Sequence, residues 1–332
     1  MQTKQNTTPM EETKPLISFI IPVYNVPTAM LRECIDSILA LSLRPFEREI
    51  IVIDDGSQSS PVPALGDTAD SIIYIRQRNA GVSAARNRGL LMATGHFVQF
   101  IDGDDLLLQA PYEHVLDLLR YQPGCDLVLF DFTKSRDASL LYDDHGPMTG
   151  NELLRHENIH GSVWGYAFSR SILGSLRFTP GVGYGEDEEF TPQLLLRAEN
   201  ALRTNAQAYF YRERHSSATG TDTTRSHIRR LEDTKNVILR LKKLADRMPT
   251  ADRIAMQRRT AQLTMDYIYN IIVITRSSHY LERKIAELGR AGLFPLPNRD
   301  YTTKYTWFRR MTNSRAGRAM LIATLPIMER ER

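Results

Sequence analysis

Three carboxylates in four residues, Asp102, Asp104 and Asp105 around Gly103, follow directly on the apolar run 97–101. Acids this close repel one another, so a fold gathers them only where a cation or hydrogen-bond donors offset the charge. Hard carboxylate oxygens suit Mg2+ or Mn2+, and such an ion can bridge to a diphosphate. A second acidic group, Glu186 and Asp187, lies in the Gly-flanked run Gly183-Tyr184-Gly185-Glu186-Asp187-Glu188-Glu189-Phe190. A general base there and plain helix-terminal charge fit the spacing equally well. Three further clusters could touch a nucleotide. Pro22-Val23-Tyr24-Asn25 offers a ring that stacks on a flat base; Asp54-Asp55-Gly56-Ser57 offers side-chain acceptors beside a Gly that lets a ligand approach. Residues 79–87 join a Gly-bearing loop to a helix with a small-residue first turn, and put Arg86 one turn in, within reach of a base or phosphate. Each of these three also reads as an ordinary turn, cap or close helix packing.

What positions them is an alternation of elements. Short branched runs at 17–21, 49–53, 72–75, 96–101 and 127–132 are expected strands, and apolar stripes at 30–39, 82–92 and 112–121 are expected helices, the first with Thr28 as its cap. Such alternation predicts parallel pairing through right-handed crossovers in a doubly wound α/β sheet. Ligands of these sheets bind beyond the carboxyl ends of the strands, where the polar clusters fall. Residues 1–15 read as a disordered lead. Beyond residue 213 strand signals fade, and 225–247, 251–276 and 279–290 read as amphipathic helices.

In their order along the chain, PVYN, DDGS, NAGVSAARN, DGDD and GED resemble glycosyltransferase family 2, over residues 18–217. The resemblance implies a GT-A fold, a Rossmann-like, mainly parallel sheet flanked by helices, with domain bounds of 16–217 and a helical C-terminal region at 218–332. It also implies a metal-dependent, inverting transfer of a hexosyl or N-acetylhexosaminyl group from a nucleotide sugar such as a UDP-sugar. The acceptor class would be a glycan or lipid-diphosphate-linked glycan of bacterial surface polysaccharide synthesis. By the same resemblance Pro22 and Tyr24 lie at the nucleobase, Asp55 accepts from it with Asp54 alongside, and Arg86 contacts base or phosphates. Asp102 binds near the ribose, Asp104 is the main ligand of Mn2+ or Mg2+ with Asp105 in support, and Asp187 is the base. Arg212, Arg214 and His215 resemble a later active-site segment that holds the diphosphate or completes the metal shell. Val163-Trp164-Gly165 resembles the segment ahead of the acceptor pocket, where Trp164 and Tyr166 would form an apolar platform. The family often has Ser at the position of Gly103, a difference expected to leave the ligands undisturbed.

Charge separates the halves of the chain. Residues 1–200 hold 16 Lys and Arg against 27 Asp and Glu, net −11; residues 201–332 hold 26 against 12, net +14. The stretch 301–327 mixes Trp307, Phe308, Met311, Met320, Leu321 and Ile322 with Arg309, Arg310, Arg315 and Arg318. That mixture suits a helix on an anionic membrane surface or the interface of a homodimer. Two cysteines, Cys34 and Cys125, make neither a disulfide framework nor a zinc site, which points to a reducing, cytoplasmic compartment with a peripheral membrane location. No run reaches the roughly 18 apolar residues of a spanning helix. A nucleotidyltransferase would want a Gly-rich, basic loop after the first strand, which residues 22–27 lack. The acidic clusters argue against a non-catalytic basic scaffold, and no motif for nucleic acid is present.

Overall fold

The computed structural model describes residues 14–137, 139–213, 224–299 and 301–328. The strands are β1 (Ile17–Val23), β2 (Arg48–Asp54), β3 (Ile73–Arg76), β4 (Phe97–Phe100), β5 (Leu106–Leu107), β6 (Leu127–Thr133), β7 (Asp144–Met148), β8 (Tyr166–Ser169) and β9 (Ala201–Phe210). Interleaved with them are α1 (Thr28–Leu39), α2 (Val62–Leu65), α3 (Val82–Met92), α4 (Gln109–Tyr121), α5 (Gly150–His156) and α6 (Glu186–Leu195). Five more helices follow: α7 (Thr224–Ala245), α8 (Thr250–Thr275), α9 (Ser278–Arg290), α10 (Thr303–Asn313) and α11 (Arg315–Met328).

The strands form one sheet in the order β3-β2-β1-β4-β8-β6-β9-β5, with β7 against β9. Every residue of β1 is buried, as both faces of a central strand must be. It pairs in parallel with β2 and β4, and β2 with β3. Beyond β4 the sheet is mixed: β8 runs antiparallel to β4 and β6, while β6 and β9 are parallel. The alternating pattern gave no sign of β8, whose four residues follow a short 3-10 turn instead of a helix.

On one face α1 buries Leu31, Cys34, Ile35 and Ile38, the expected stripe. Its N-cap is Pro27 and not Thr28, and no side chain caps it. On the other face α3 approaches β1 so closely that Gly89 has no room for a Cβ against Ile20. The small residues of α3 thus serve the sheet.

A further core joins α7 to α11 around Val237, Ile238, Met256, Tyr267, Ile268, Ile272, Leu281 and Leu321. Its central helix, α8, also lies along α5: Arg258 donates to the carbonyls of Leu154 and Glu157 at 2.9 Å each, closing the C-terminal end of that helix. Asn151 reaches Asp252 at 2.9 Å and Gln262 reaches Asn158 at 3.0 Å. The helical region is therefore fastened to the sheet domain beside the segment that leads into β8. Among the described residues no helix is long and apolar enough to cross a membrane.

Candidate active site

The acidic clusters converge where fold rules put a ligand, past the carboxyl ends of β1, β2 and β4. In the turn after β4 the three aspartates have separate surroundings. Asp105 is 2% exposed and faces inward; it accepts from the Tyr209 hydroxyl and the Arg212 N–H, both at 2.8 Å. Burial, then the charge of Asp102, pushes its carboxyl up to about 8. Asp105 thus departs from the expected supporting ligand: both its oxygens already serve the frame of the turn. The same Tyr209 hydroxyl accepts from the Asp102 N–H at 3.1 Å. Arg212 donates through Nε to the Asp104 carbonyl at 2.9 Å and through Nη2 to Glu33 at 2.8 Å. Nothing in the sequence marked Tyr209 or Glu33. Gly103 is needed where it stands, because a Cβ there would lie 2.7 Å from Cγ1 of Val23, a stiff branched side chain on β1. A Ser at this position would force the turn or β1 to shift.

Asp102 and Asp104 keep partly exposed side chains. Two carboxylates beside a diphosphate are what Mg2+ or Mn2+ commonly takes from a protein, so the open side of the turn fits such an ion. Among the described residues no three His, Cys, Asp or Glu groups are arranged so that together they could hold a metal ion. Arg214 and His215 lie outside the described residues.

Arg86 occupies the middle of the site. Its guanidinium, 4% exposed, bonds Asp102 at 3.2 Å through Nη2, and Glu186 at 2.9 Å and Asp187 at 2.5 Å through Nη1. The rings of Phe178 and Phe100 lie 5.4 and 6.0 Å from it. Arg86 was expected at the base or phosphates. It instead binds the turn after β4 to the start of α6, because three acids surround one cation in a poorly hydrated space. Glu186 and Asp187 belong to the first turn of α6, after Gly185 in left-handed conformation, and Glu188 and Glu189 complete a turn of four acids. Asp187 also accepts from the Val163 N–H at 3.3 Å. Burial raises its carboxyl well above the ordinary range, against the pull of Arg86 and with help from Glu186 and Asp102.

At the other end, Tyr24 is 55% exposed and Pro22 is buried in β1. A cleft of about 330 Å3 lies there, lined by Asn25, Val26, Pro27 and Ser57 among others. Asp54 accepts from the Ser57 N–H at 2.8 Å and the Tyr74 hydroxyl at 2.6 Å. Asp55, 3% exposed, accepts from the N–H groups of Ala80 and Gly81 at 2.9 and 2.7 Å and from Gln77 at 2.8 Å. Asp54 thus holds the loop that borders the cleft, and Asp55 holds the loop after β3. Gly56 must be Gly: its φ is +80° and a Cβ would meet the Asn79 nitrogen at 2.8 Å.

Trp164 belongs to an aromatic wall. It stacks on Tyr209 at 4.4 Å between centroids, with His160 at 5.3 Å and Tyr211 at 5.9 Å. It is 7% exposed, and Tyr166 only 1%, its hydroxyl donating to the His160 carbonyl at 2.6 Å. Tyr166 is thus part of the core behind the wall and does not form the expected platform.

The sequence and the fold have counterparts. Residues 18–176 match the family model described as Glycosyl transferase family 2. Glycosyltransferase GlyA of Streptococcus pneumoniae is 30% identical over 221 residues, which span 60% of this chain and 31% of that protein. The structure of Staphylococcus aureus TarS 1-349 in complex with UDP-GlcNAc superposes with a TM-score of 0.61 at 16% identity, covering 95% of this chain and 91% of that one. Mannosyltransferase PcManGT of Pyrobaculum calidifontis, in complex with GDP-Man and Mn2+, gives a TM-score of 0.53 at 15% identity over 96% of this chain and 89% of its own. Residues 18–176 form a domain that matches glycosyltransferase family 2, and the sheet and its flanking helices have the GT-A fold.

Proposed function

We propose that the chain transfers a sugar from a nucleoside diphosphate donor, a UDP-sugar, to a hydroxyl of a glycan or lipid-diphosphate-linked glycan, with inversion at the anomeric carbon. The observation that carries this is the Arg86 bridge: one guanidinium spans Asp102, on the turn suited to a metal diphosphate, and Asp187, in the first turn of α6. A donor's anomeric carbon and an acceptor hydroxyl fit between two such groups. Asp104 and Asp102 would hold Mn2+ or Mg2+, which when bound supplies positive charge beside the departing diphosphate. The complexes of the two superposed structures, with UDP-GlcNAc and with GDP-Man and Mn2+, support donor and metal class.

Tyr24 and the cleft beside it receive the base, and the loops braced by Asp54 and Asp55 border the nucleoside. Asp187 takes the acceptor proton, the hydroxyl oxygen forms its bond to the anomeric carbon, and the bond from that carbon to the diphosphate oxygen breaks with its electron pair on the diphosphate. A single displacement inverts the centre. The raised proton affinity of Asp187 suits a base. Asp187→Asn should lower turnover about 10²–10⁴-fold while calorimetry finds the affinity for UDP with Mn2+ unchanged. Asp104→Ala should abolish the metal dependence of that binding; metal-independent UDP affinity equal in both proteins would sink the assignment.

The exposed face of α10 and α11 supports a location on an anionic membrane surface. Trp307 and Met320 are 50% and 57% exposed, and Lys304, Arg310 and Arg315 are exposed as well. Residues 301–328 contain no Asp or Glu at all. Trp307→Ala with Arg310→Ala should reduce co-sedimentation with phosphatidylserine vesicles; undiminished binding would refute the surface, and a fall in dimer mass instead would assign it to self-association.

A further inference from the structure

The first turn of α6 carries four consecutive acids, and each finds a cation on another element. Glu186 and Asp187 meet Arg86 of α3; Glu188 meets Arg259 of α8, and Glu189 meets Arg240 of α7 in a two-pronged pair at 2.6 and 2.8 Å. Two of the three cations therefore come from the C-terminal helices. Arg259 is 4% exposed, and its second terminal nitrogen donates to the Ile159 carbonyl at 3.1 Å. Ile159 begins the segment that supplies the Val163 N–H to Asp187. The same segment is pressed on α6 at Gly161, whose carbonyl accepts from Thr191 at 2.6 Å and whose Cα leaves no room for a Cβ against Glu188. One planar guanidinium thus grips both elements that fix Asp187, the helix by its acid and the loop by its carbonyl. Arg suits this task because its donors lie in a rigid fork.

From this geometry we infer that Arg259 is a positioning residue for transfer, with Arg240 as its outer support: the C-terminal helices set the place of Asp187 relative to the donor. The inference rests on the reading of Asp187 as the base. It assigns the helical region a part in the reaction apart from any docking surface. A displacement of the base by about 1 Å is enough to cost on the order of 10²-fold in rate.

The test uses the full chain and measures three quantities: the melting temperature, calorimetric affinity for UDP with Mn2+, and release of nucleoside diphosphate across a panel of UDP- and GDP-sugars. Arg259→Lys keeps the charge and loses the fork. Because emptying a buried cation site endangers folding, Arg259→Gln combined with Glu188→Gln, which removes both charges together, is measured beside it. Each folded variant should retain UDP affinity within about twofold and lose turnover about 10- to 100-fold, Lys retaining more than Gln. Arg240→Gln should lose less, since Arg240 is 38% exposed. Turnover within twofold of the parent in a folded Gln variant would overturn the inference. So would a parallel loss of UDP affinity, which would mean that the clamp only holds the fold. Asp187→Asn in the same assay separates the two readings: if it turns over normally, the base assignment and this inference both fall. If it is inactive while the Arg259 variants are not, only this inference falls.

Discussion

The two sides of the site are built from the same residue type in opposite ways. On the proposed donor side Asp54, Asp55 and Asp105 are buried and bind mainly neutral donors, N–H groups, tyrosine hydroxyls and one amide, with the Arg76 guanidinium 3.7 Å from Asp54 as the outlying charge. On the acceptor side Glu186, Asp187, Glu188 and Glu189 bind guanidinium groups. Apart from the Ser57 N–H, these donors come from β3, β9 and the segments that follow them, so Asp54 and Asp55 fasten the turn after β2 to β3 and to the loop beyond it. The guanidinium groups come from α3, α7 and α8, so the acids of α6 tie together three helices that lie far apart in the sequence. Charge-assisted bonds are stronger and keep their direction, which favours them where the parts to be aligned belong to different elements.

The sharpest way to break the comparison is at Arg86, a cation that touches both sides. Arg86→Ala would leave Asp102, Glu186 and Asp187 without their shared counter-ion, a loss of about 3–5 kcal/mol for a buried pair broken on one side. Arg86→Lys keeps a charge and cannot span the three acids. Turnover should fall at least about 100-fold in the Lys variant, with a lowered melting temperature in both. Lys at parental activity would show that charge alone, and not alignment of the two sides, is what Arg86 provides.

A smaller effect is expected on the donor side. Asp55→Ala removes the acceptor for the Ala80 and Gly81 N–H groups, and because both residues are exposed the cost falls below the about 1–3 kcal/mol of fully buried groups. The loop should loosen, UDP affinity should weaken, and turnover at saturating donor should stay close to that of the parent. A loss of turnover with affinity intact would contradict the division into a donor side and an acceptor side.

How far this division could be read from residues alone depends on how local each contact is. The parallel half of the sheet follows from runs such as 17–21 and 49–53, since a strand buried on both faces has to be apolar throughout. The turn after β4 was legible for the same reason: three acids cannot follow such a strand by accident of solvation. The inward role of Asp105 was not legible, because it depends on Tyr209, 104 residues away. Arg86 was singled out with a different contact in view, since its three acids come from two distant segments. The partners of Glu188 and Glu189 were out of reach as well. Both acids suffice to favour a helix N-terminus through the dipole, and nothing in their neighbourhood announces Arg259 or Arg240.

The smallest expected effect tests the wall between the two sides. His160 stacks on Trp164 and packs against Phe132, and burial lowers its pKa from the ordinary 6.5; the Phe130 carbonyl, Asp131 and Glu188 oppose that shift, and Arg259 adds to it. A base whose folded pKa is depressed binds its proton less well in the folded state, so acid favours unfolding. Its contribution is complete above about pH 6.5 and is lost as pH falls from there through the lowered folded value. One proton limits the slope to about 1.4 kcal/mol per pH unit. His160→Phe keeps a flat ring in the stack and removes the titration. Between pH 7 and pH 5 the melting temperature of the parent should therefore fall more than that of the variant. Equal falls would mean that the imidazole reaches its proton without disturbing the wall, and that the acceptor side is held by its guanidinium contacts alone.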